Sequence, residues 1–259
     1  MLRLYACLMT AATVMDLEKE LLPKSPVEGL IPTMNQRGWM TEGLDDISAE
    51  FAQYAGQAGG EALDLGCAYG VATLRALKAG ARVLACDMEP KHLELLLRLV
   101  PDDVRERVST QSAVLPDVQF DANRFSAVLA ARVLHFLNGD DVVRVVTNIF
   151  DWLVPGGRFF WVTDTPHAGP WKVKSAEFDE RKAAGEDWPG YFENYRQFLP
   201  PGVPDTGHPH FINVADPDIL ERVCRHAGFK VLQATWLKGS TPRASDRDHA
   251  GVIAEKPSG

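Results

Sequence analysis

The chain has 259 residues, 46% apolar, 24% charged and 9% aromatic, a balance that suits one large globular core with decorations and excludes a disordered or collagenous chain. Its formal charge of −8, with no long basic run, argues against a protein that holds nucleic acid by neutralising phosphates. The four cysteines, Cys7, Cys67, Cys86 and Cys224, form no CxxC pair and have no zinc-type spacing with histidine; this implies neither a disulfide scaffold nor a metal domain, and suits a reducing cytoplasm.

No apolar run approaches the roughly 20 residues needed to cross a bilayer. The first fifteen residues, MLRLYACLMTAATVM, combine one arginine with a mildly apolar stretch, but Thr10 and Thr13 dilute it and DLEKE follows. They read as a tail, or as residues before a true start at Met15, rather than as a signal peptide. Residues 1–46 form an N-terminal extension, and its segment MNQRGWMTEGLDDISAEFAQYA (34–55) places Arg37 and Trp39 before a helix capped near Asp45 or Asp46.

From Glu61 onward, short apolar runs alternate with helical patterns, which predicts a parallel sheet with crossover helices. The predicted strands are 61–65, 81–87, 107–111, 125–131 and 157–164, buried on both faces. The predicted helices are 70–79, stopping at Gly80; 90–99, opening with Pro90; and 139–153, with Val142, Val146, Ile149, Phe150 and Leu153 at helical spacing before Pro155, Gly156 and Gly157. The regular pattern then lapses over 165–215, an insertion rich in proline, glycine and aromatics: Trp171, Phe178, Trp188, Tyr191, Phe192, Tyr195 and Phe198. These aromatics could form a small core or a lid that lines a substrate site. A helix from Asp216 and Pro217 to Gly228 follows, then strands 229–237 and 249–256.

The segment ALDLGCAYGVATLRAL (62–77) is a strand, a glycine turn and a helix. A ligand at the strand's carboxyl end would meet a helix N-terminus and free backbone amides. Gly66 and Gly70 allow the tight turn and close approach of a ligand, Asp64 brings a carboxylate to the strand tip, and Asp87 ends the next strand, where it can accept from both hydroxyls of a ribose. The dinucleotide fingerprint needs G-x-G-x-x-G, but Ala68 and Val71 stand at its second and third glycines. That pattern, with Asp64, points to a cofactor with a cationic amino-acid end and no phosphates, and away from a nicotinamide oxidoreductase.

LDLGCAYG, LACDMEP, FSAVLAARVLHFL and WLVPGGRFFWVTD, in this order, resemble the ordered motifs of the class I S-adenosylmethionine-dependent methyltransferases. The resemblance covers about residues 47–164, and 216–256 fit that family's closing strands. It implies a Rossmann-like α/β fold, doubly wound, with seven strands in the order 3-2-1-4-5-7-6, the last antiparallel, so that 47–259 would be the methyltransferase domain. It implies that Asp64 contacts the methionine ammonium, that Gly66, Cys67, Ala68 and Gly70 pass beneath the methionine and ribose, and that Asp87 binds the ribose hydroxyls. Met88 would flank the adenine. Where the family often has an acidic residue for the adenine amino group, this sequence has Ser112 and Ala113. Ala130, Ala131 and Arg132 would lie along the cofactor, and the N-terminal extension would close over it.

Cys67 and Cys86 read as small buried hydrophobes rather than nucleophiles. Asp164 and His167, after the fifth strand, are the candidate general bases. Trp39, His135 and Trp171 are candidate acceptor contacts, although each has a packing role as its plain alternative. His208 and His210 form an i, i+2 pair with no third ligand nearby, so no metal is expected. The fourth strand ends in AARV and lacks the Asn- or Asp-Pro-Pro-aromatic motif of many amino-methylases. With the charge of −8, this favours a small-molecule acceptor, apolar or aromatic to match the insertion, methylated at O, N or C. The expected enzyme is cytoplasmic, a monomer or homodimer, with no nucleic-acid or membrane partner. A non-catalytic cofactor-binding regulator and an NAD(P)-dependent oxidoreductase are the alternatives.

Overall fold

The computed structural model describes residues 22–24, 28–35, 37–194, 210–239 and 244–258. Cys7, Met15, the apolar N-terminal stretch, Tyr195, Phe198 and His208 lie outside the described residues. In chain order, a hairpin of β1 (Leu30–Pro32) and β2 (Trp39–Thr41) precedes helix α1 (Asp46–Gln57). Next come β3 (Glu61–Leu65), α2 (Val71–Lys78), β4 (Arg82–Asp87), α3 (Pro90–Leu99), β5 (Val108–Ser112) and β6 (Phe125–Ala131). Then follow α4 (Gly139–Trp152), β7 (Leu153–Asp164), α5 (Ser175–Ala183), β8 (Tyr191–Glu193), β9 (Phe211–Asn213), α6 (Pro217–His226), β10 (Lys230–Leu237) and β11 (His249–Glu255).

Seven strands form one sheet in the order β5-β4-β3-β6-β7-β11-β10. The first five run parallel, and β11 is antiparallel to both β7 and β10. This is the order that the resemblance implied. Side chains alternate between the two faces, as strand geometry requires. Phe159 and Trp161 of β7 pack with α4 and α6, while Phe160 and Val162 pack on the face covered by α1 and α2. Phe160 meets Phe51 edge-on at 5.7 Å. Because both faces are covered, the ligand-accessible edge is the one formed by the carboxyl ends of the parallel strands.

The caps explain why the helices begin where they do. Asp45 accepts from the Ser48 amide at 2.8 Å and its hydroxyl at 2.9 Å, Asn138 accepts from the Asp141 amide at 2.9 Å, and Asp216 accepts from the Ile219 amide at 3.1 Å. Each cap satisfies a donor that a helix start leaves unpaired.

One boundary departs from expectation. β7 begins at Leu153 rather than 157, because α4 ends at Trp152 and Leu153 pairs at once with Phe125. Pro155, Gly156 and Gly157 form an irregularity inside the strand, where the register shifts between Phe125 and Ala127. Gly156 takes φ +78° there, so the glycines build a bulge where a turn was expected.

The insertion is structured over its described part. A 3-10 turn (Gly169–Lys174), α5 and the β8–β9 hairpin carry Trp171, Phe178 and Phe192, all buried in the same core as β7 and α4. Asn213 Nδ2 donates to the Leu137 carbonyl at 3.2 Å. Of the two readings of these aromatics, core packing is what these three residues show.

Candidate functional site

The turn after β3 spends its backbone donors internally. The Gly66 and Cys67 amides both donate to the Cys86 carbonyl, at 2.8 and 2.9 Å, the Ala68 amide donates to Asp87 Oδ2 at 2.9 Å, and the Gly70 amide donates to the Cys67 carbonyl at 2.8 Å. The free amides expected here are therefore absent at these four positions, since the turn folds back onto the end of β4. A pyrophosphate needs such donors, so the turn is a poor dinucleotide cradle. Glycine is required at two points for protein packing: a Cβ on Gly66 would stand 2.6 Å from Val133, and one on Gly70 2.3 Å from Leu96. Both have positive φ, and so do Ala68 (+45°) and Arg132 (+53°). Two non-glycine residues in the left-handed region at adjacent strand tips concentrate backbone strain at this edge.

Asp64 lies in the last turn-facing part of β3 and is only 3% exposed. Its Oδ2 accepts from the Thr73 hydroxyl at 2.7 Å. Burial pushes its carboxyl up to about 6, only partly offset by the Thr73 hydrogen bonds, and the Asp87 charge adds to the rise. The neighbouring thiols are unreactive for the same reason: burial holds Cys67 well above its ordinary value and pushes Cys86 up to about 12.

Asp87, at the tip of β4, is also buried. Its Oδ2 takes the Ala68 amide, and its Oδ1 takes the Glu89 amide at 2.9 Å and faces His92 Nδ1 at 3.0 Å. His92 Nε2 accepts from the Met34 amide at 3.1 Å, so its other nitrogen carries the proton and donates to Asp87. The carboxylate therefore ties together the turn after β3, the head of α3 and the N-terminal hairpin. The sequence reading missed His92, although its position five residues after Asp87, in the first turns of a helix opening at Pro90, carried the signal.

The hairpin bridges the strand tips. Tyr69 donates its hydroxyl to the Pro32 carbonyl at 2.9 Å, and Arg37 Nη1 meets Met88 Sδ at 3.4 Å. On the other side, Arg132 Nη2 donates to Thr41 Oγ1 at 2.8 Å, and Nη1 stands 3.6 Å from Asp45. Beside this bridge Trp39 and Met88 stay 43% and 41% exposed. Ser112 pairs in register with Asp87, and the Ala113 amide donates to the Asp87 carbonyl at 3.0 Å. Ala131 ends β6, and the Arg132 amide donates to the Val162 carbonyl at 2.7 Å.

A second polar group forms at the tip of β7. Asp164 faces His249 of β11 across the antiparallel register, with Oδ1 3.2 Å from Nδ1, and Trp171 Nε1 approaches Oδ2 at 3.4 Å. Burial would raise the Asp164 carboxyl, but His135, His249 and Arg132 together outweigh it and hold it well below the usual carboxylate range. His135, on the 3-10 turn after β6, is buried. The His167 amide donates to Thr165 Oγ1 at 3.2 Å, and its ring lies 5.3 Å from that of Trp236. Asp164, His135 and Trp171 thus meet in one place, while His167 packs behind them. Sequence reading also missed His249, which only strand pairing brings beside Asp164. His210 precedes β9; among the described residues no group of three or more His, Cys, Asp or Glu is arranged to hold a metal ion.

Residues 62–157 match the family model of a methyltransferase domain. That likeness is consistent with the class I S-adenosylmethionine-dependent methyltransferases. The match runs from β3 into β7 and takes in Asp64, Asp87, Arg132 and His135; Asp164, His167 and His249 lie beyond it. The fold is similar to that of a S-adenosylmethionine-dependent methyltransferase from Methanosarcina mazei, with TM-score 0.58 and 16% identity over 76% of this chain and 92% of that one. It is similar also to the glycopeptide N-methyltransferase MtfA complexed with S-adenosylmethionine, with TM-score 0.55 and 22% identity over 83% of this chain and 89% of that one. A third likeness is to Burkholderia thailandensis 1,6-didemethyltoxoflavin-N1-methyltransferase, with TM-score 0.56 and 20% identity over 82% of this chain and 79% of that one. No protein of curated function matches the sequence. Among the described residues, no helix is long and apolar enough to cross a membrane.

Proposed function

We propose that the chain binds S-adenosylmethionine at the carboxyl ends of β3, β4 and β6 and transfers its methyl group to a small-molecule acceptor. The observation that carries this reading is Asp64: a buried carboxylate pushed up to about 6, whose side chain has a hydroxyl partner but, among the described residues, no cationic one. An ammonium group is the partner that such a carboxylate suits. The internally bonded amides of Gly66, Cys67, Ala68 and Gly70 support a cofactor without phosphates.

When bound, S-adenosylmethionine supplies a methyl group already activated for displacement, so this chain has to hold, orient and keep dry rather than to activate. In this reading Asp64 takes the methionine ammonium. Gly66, Cys67, Ala68 and Gly70 run beneath the methionine and ribose. Asp87, with three protein donors on its two oxygens, has an acceptor site left for a ribose hydroxyl. Met88, Ser112 and Ala113 border the adenine, and Ala131 and Arg132 border the methionine end. The hairpin spanning Asp87 and Arg132 closes the cleft from above. The acceptor, taken at O, N or C, is bordered by the exposed Trp39 and backed by the buried His135 and Trp171. Asp164 and His167 are the groups that the sequence offers for moving a proton.

A small acceptor is supported by the net charge of −8 and by the likeness to enzymes named for a glycopeptide and for 1,6-didemethyltoxoflavin. Cys67, Cys86 and Cys224, the cysteines among the described residues, are free and buried, which supports a reducing compartment. Calorimetric titration with S-adenosylhomocysteine tests the reading. Micromolar binding by the chain, lost in Asp87→Ala and weakened in Asp64→Asn, is expected. A chain that ignores S-adenosylhomocysteine and is stabilised thermally by NAD or NADP would instead be an oxidoreductase.

A further inference from the structure

Resting on that reading, we propose that His249 is the proton acceptor for the methyl acceptor's nucleophile, and that Asp164 is the positioning residue that holds its ring. The two side chains come from neighbouring antiparallel strands in direct register, His249 opposite Asp164. Their facing atoms, Nδ1 and Oδ1, are 3.2 Å apart. His249 Nδ1 is fully buried, its angle to Asp164 falls short of a hydrogen bond, and the His249 side chain as a whole remains 14% exposed. Contacts of this kind are often misaligned before substrate binds and tighten in the complex. With Nδ1 turned to the carboxylate, the ring's open remainder carries Nε2, the nitrogen free to take a proton.

Asp164 suits positioning better than proton uptake. Surrounded by His135, His249 and Arg132, with Trp171 on its other oxygen, it stays ionised and weakly basic. A carboxylate that cannot readily be protonated is the group that fixes a histidine's tautomer and stabilises the imidazolium formed when Nε2 takes a proton. His167, the other candidate, is committed to an edge contact with Trp236.

The step balances without a further reagent. The nucleophile's lone pair forms the new bond to methyl, the methyl–sulfur bond breaks with its pair staying on sulfur, and the nucleophile's proton passes to His249 Nε2. A hydroxyl, an ammonium or an acidic carbon needs such a base; a thioether or tertiary amine does not. The acceptor class is therefore one that carries a removable proton.

Other groups shape the pair's titration. His135 and Arg132 approach from the end of β6, with Arg132 also held by Asp45 at the head of α1. Asp248 precedes His249 and is bonded by the Ser245 amide at 3.1 Å. Arg247 lies over Trp236 at 5.2 Å, beside His167.

The test uses the full chain with isotope-labelled histidine, saturated with S-adenosylhomocysteine, the His249 signals being assigned through His249→Gln. Nitrogen shifts should show neutral His249 protonated on Nδ1, a tautomer preference that is lost in Asp164→Asn. An Nε2-protonated ring, or a tautomer that ignores Asp164→Asn, overturns the pairing. In parallel, labelled-methyl transfer is measured on a panel of phenols and primary amines. Transfer should fall about 100-fold or more in His249→Gln, with S-adenosylhomocysteine affinity kept within threefold. Full transfer by His249→Gln overturns the base assignment, and a panel without any acceptor leaves the nuclear magnetic resonance result to decide. Loss of S-adenosylhomocysteine binding by the unmodified chain would instead sink the proposed function, so the two failures are told apart.

Discussion

Asp64 and Asp164 stand at the tips of β3 and β7 and answer the same covalent chemistry with opposite shifts. Asp64, 3% exposed beside another carboxylate, is pushed up to about 6. Asp164, with a side chain 25% exposed and ringed by His135, His249 and Arg132, is held well below the ordinary range. Burial penalises both, so the neighbours decide the sign. The β3 end of the cleft is built short of a cation, and the β7 end already contains its own. That division suits a cofactor arriving with an ammonium group at one end and a proton-bearing acceptor at the other.

The sharpest way to break the comparison is to neutralise each carboxylate in turn. Asp64→Asn should cost about 100-fold in S-adenosylhomocysteine affinity, about 2.7 kcal/mol. It should leave the ligand-free protein no less stable at neutral pH, because the removed charge was unfavourably buried. Asp164→Asn should do the reverse and lower the unfolding free energy by about 2 kcal/mol, since it removes the anionic partner facing Arg132, His249 and the Trp171 indole, while affinity changes little. Calorimetry and chemical denaturation on the same preparations check both, and equal losses of affinity in the two variants would dissolve the distinction.

A pH series gives a smaller and more specific contrast. The ammonium needs Asp64 ionised, so affinity should fall as pH drops through about 6, approaching tenfold per unit below it. Asp164 is lowered in the fold, so its stabilisation is complete above the unfolded value of about 4 and is lost only as pH falls further toward its folded value. Affinity should therefore weaken in a range where Asp164 still stabilises. Denaturation and calorimetry between pH 4 and 8 measure the separation. The smallest expected effect comes from Thr73→Val, which removes the 2.7 Å hydrogen bond to Asp64. It should move the affinity midpoint upward by about half a pH unit; an unmoved midpoint would remove Asp64 from the ammonium site.

Much of this was legible in one dimension. Strand and helix positions from β3 to α4 follow from apolar runs and from punctuation such as Gly80 and Pro90, and the starts of α1 and α6 from Asp45 and Asp216, because these signals are local in sequence. The exception, the start of β7, shows the limit: Pro155-Gly156-Gly157 has turn chemistry, and only pairing of Leu153 with Phe125 turned it into a bulge. The amides of Gly66, Cys67 and Ala68 looked free because their acceptors, Cys86 and Asp87, lie on another strand.

What the sequence by itself determined was the order of elements and the motif around Asp64 and Asp87 with the resemblance it carries, since each rests on spacing along neighbouring elements of the chain. What only the tertiary structure decided was which side chains share a charge environment. His92, only five residues from Asp87, reached Met34 through the fold of the hairpin, and His249 reached Asp164 because an antiparallel strand, 85 positions later in the numbering, pairs with β7 in register. Electrostatic interactions depend on distance through space, and no local pattern encodes a neighbour that a sheet supplies.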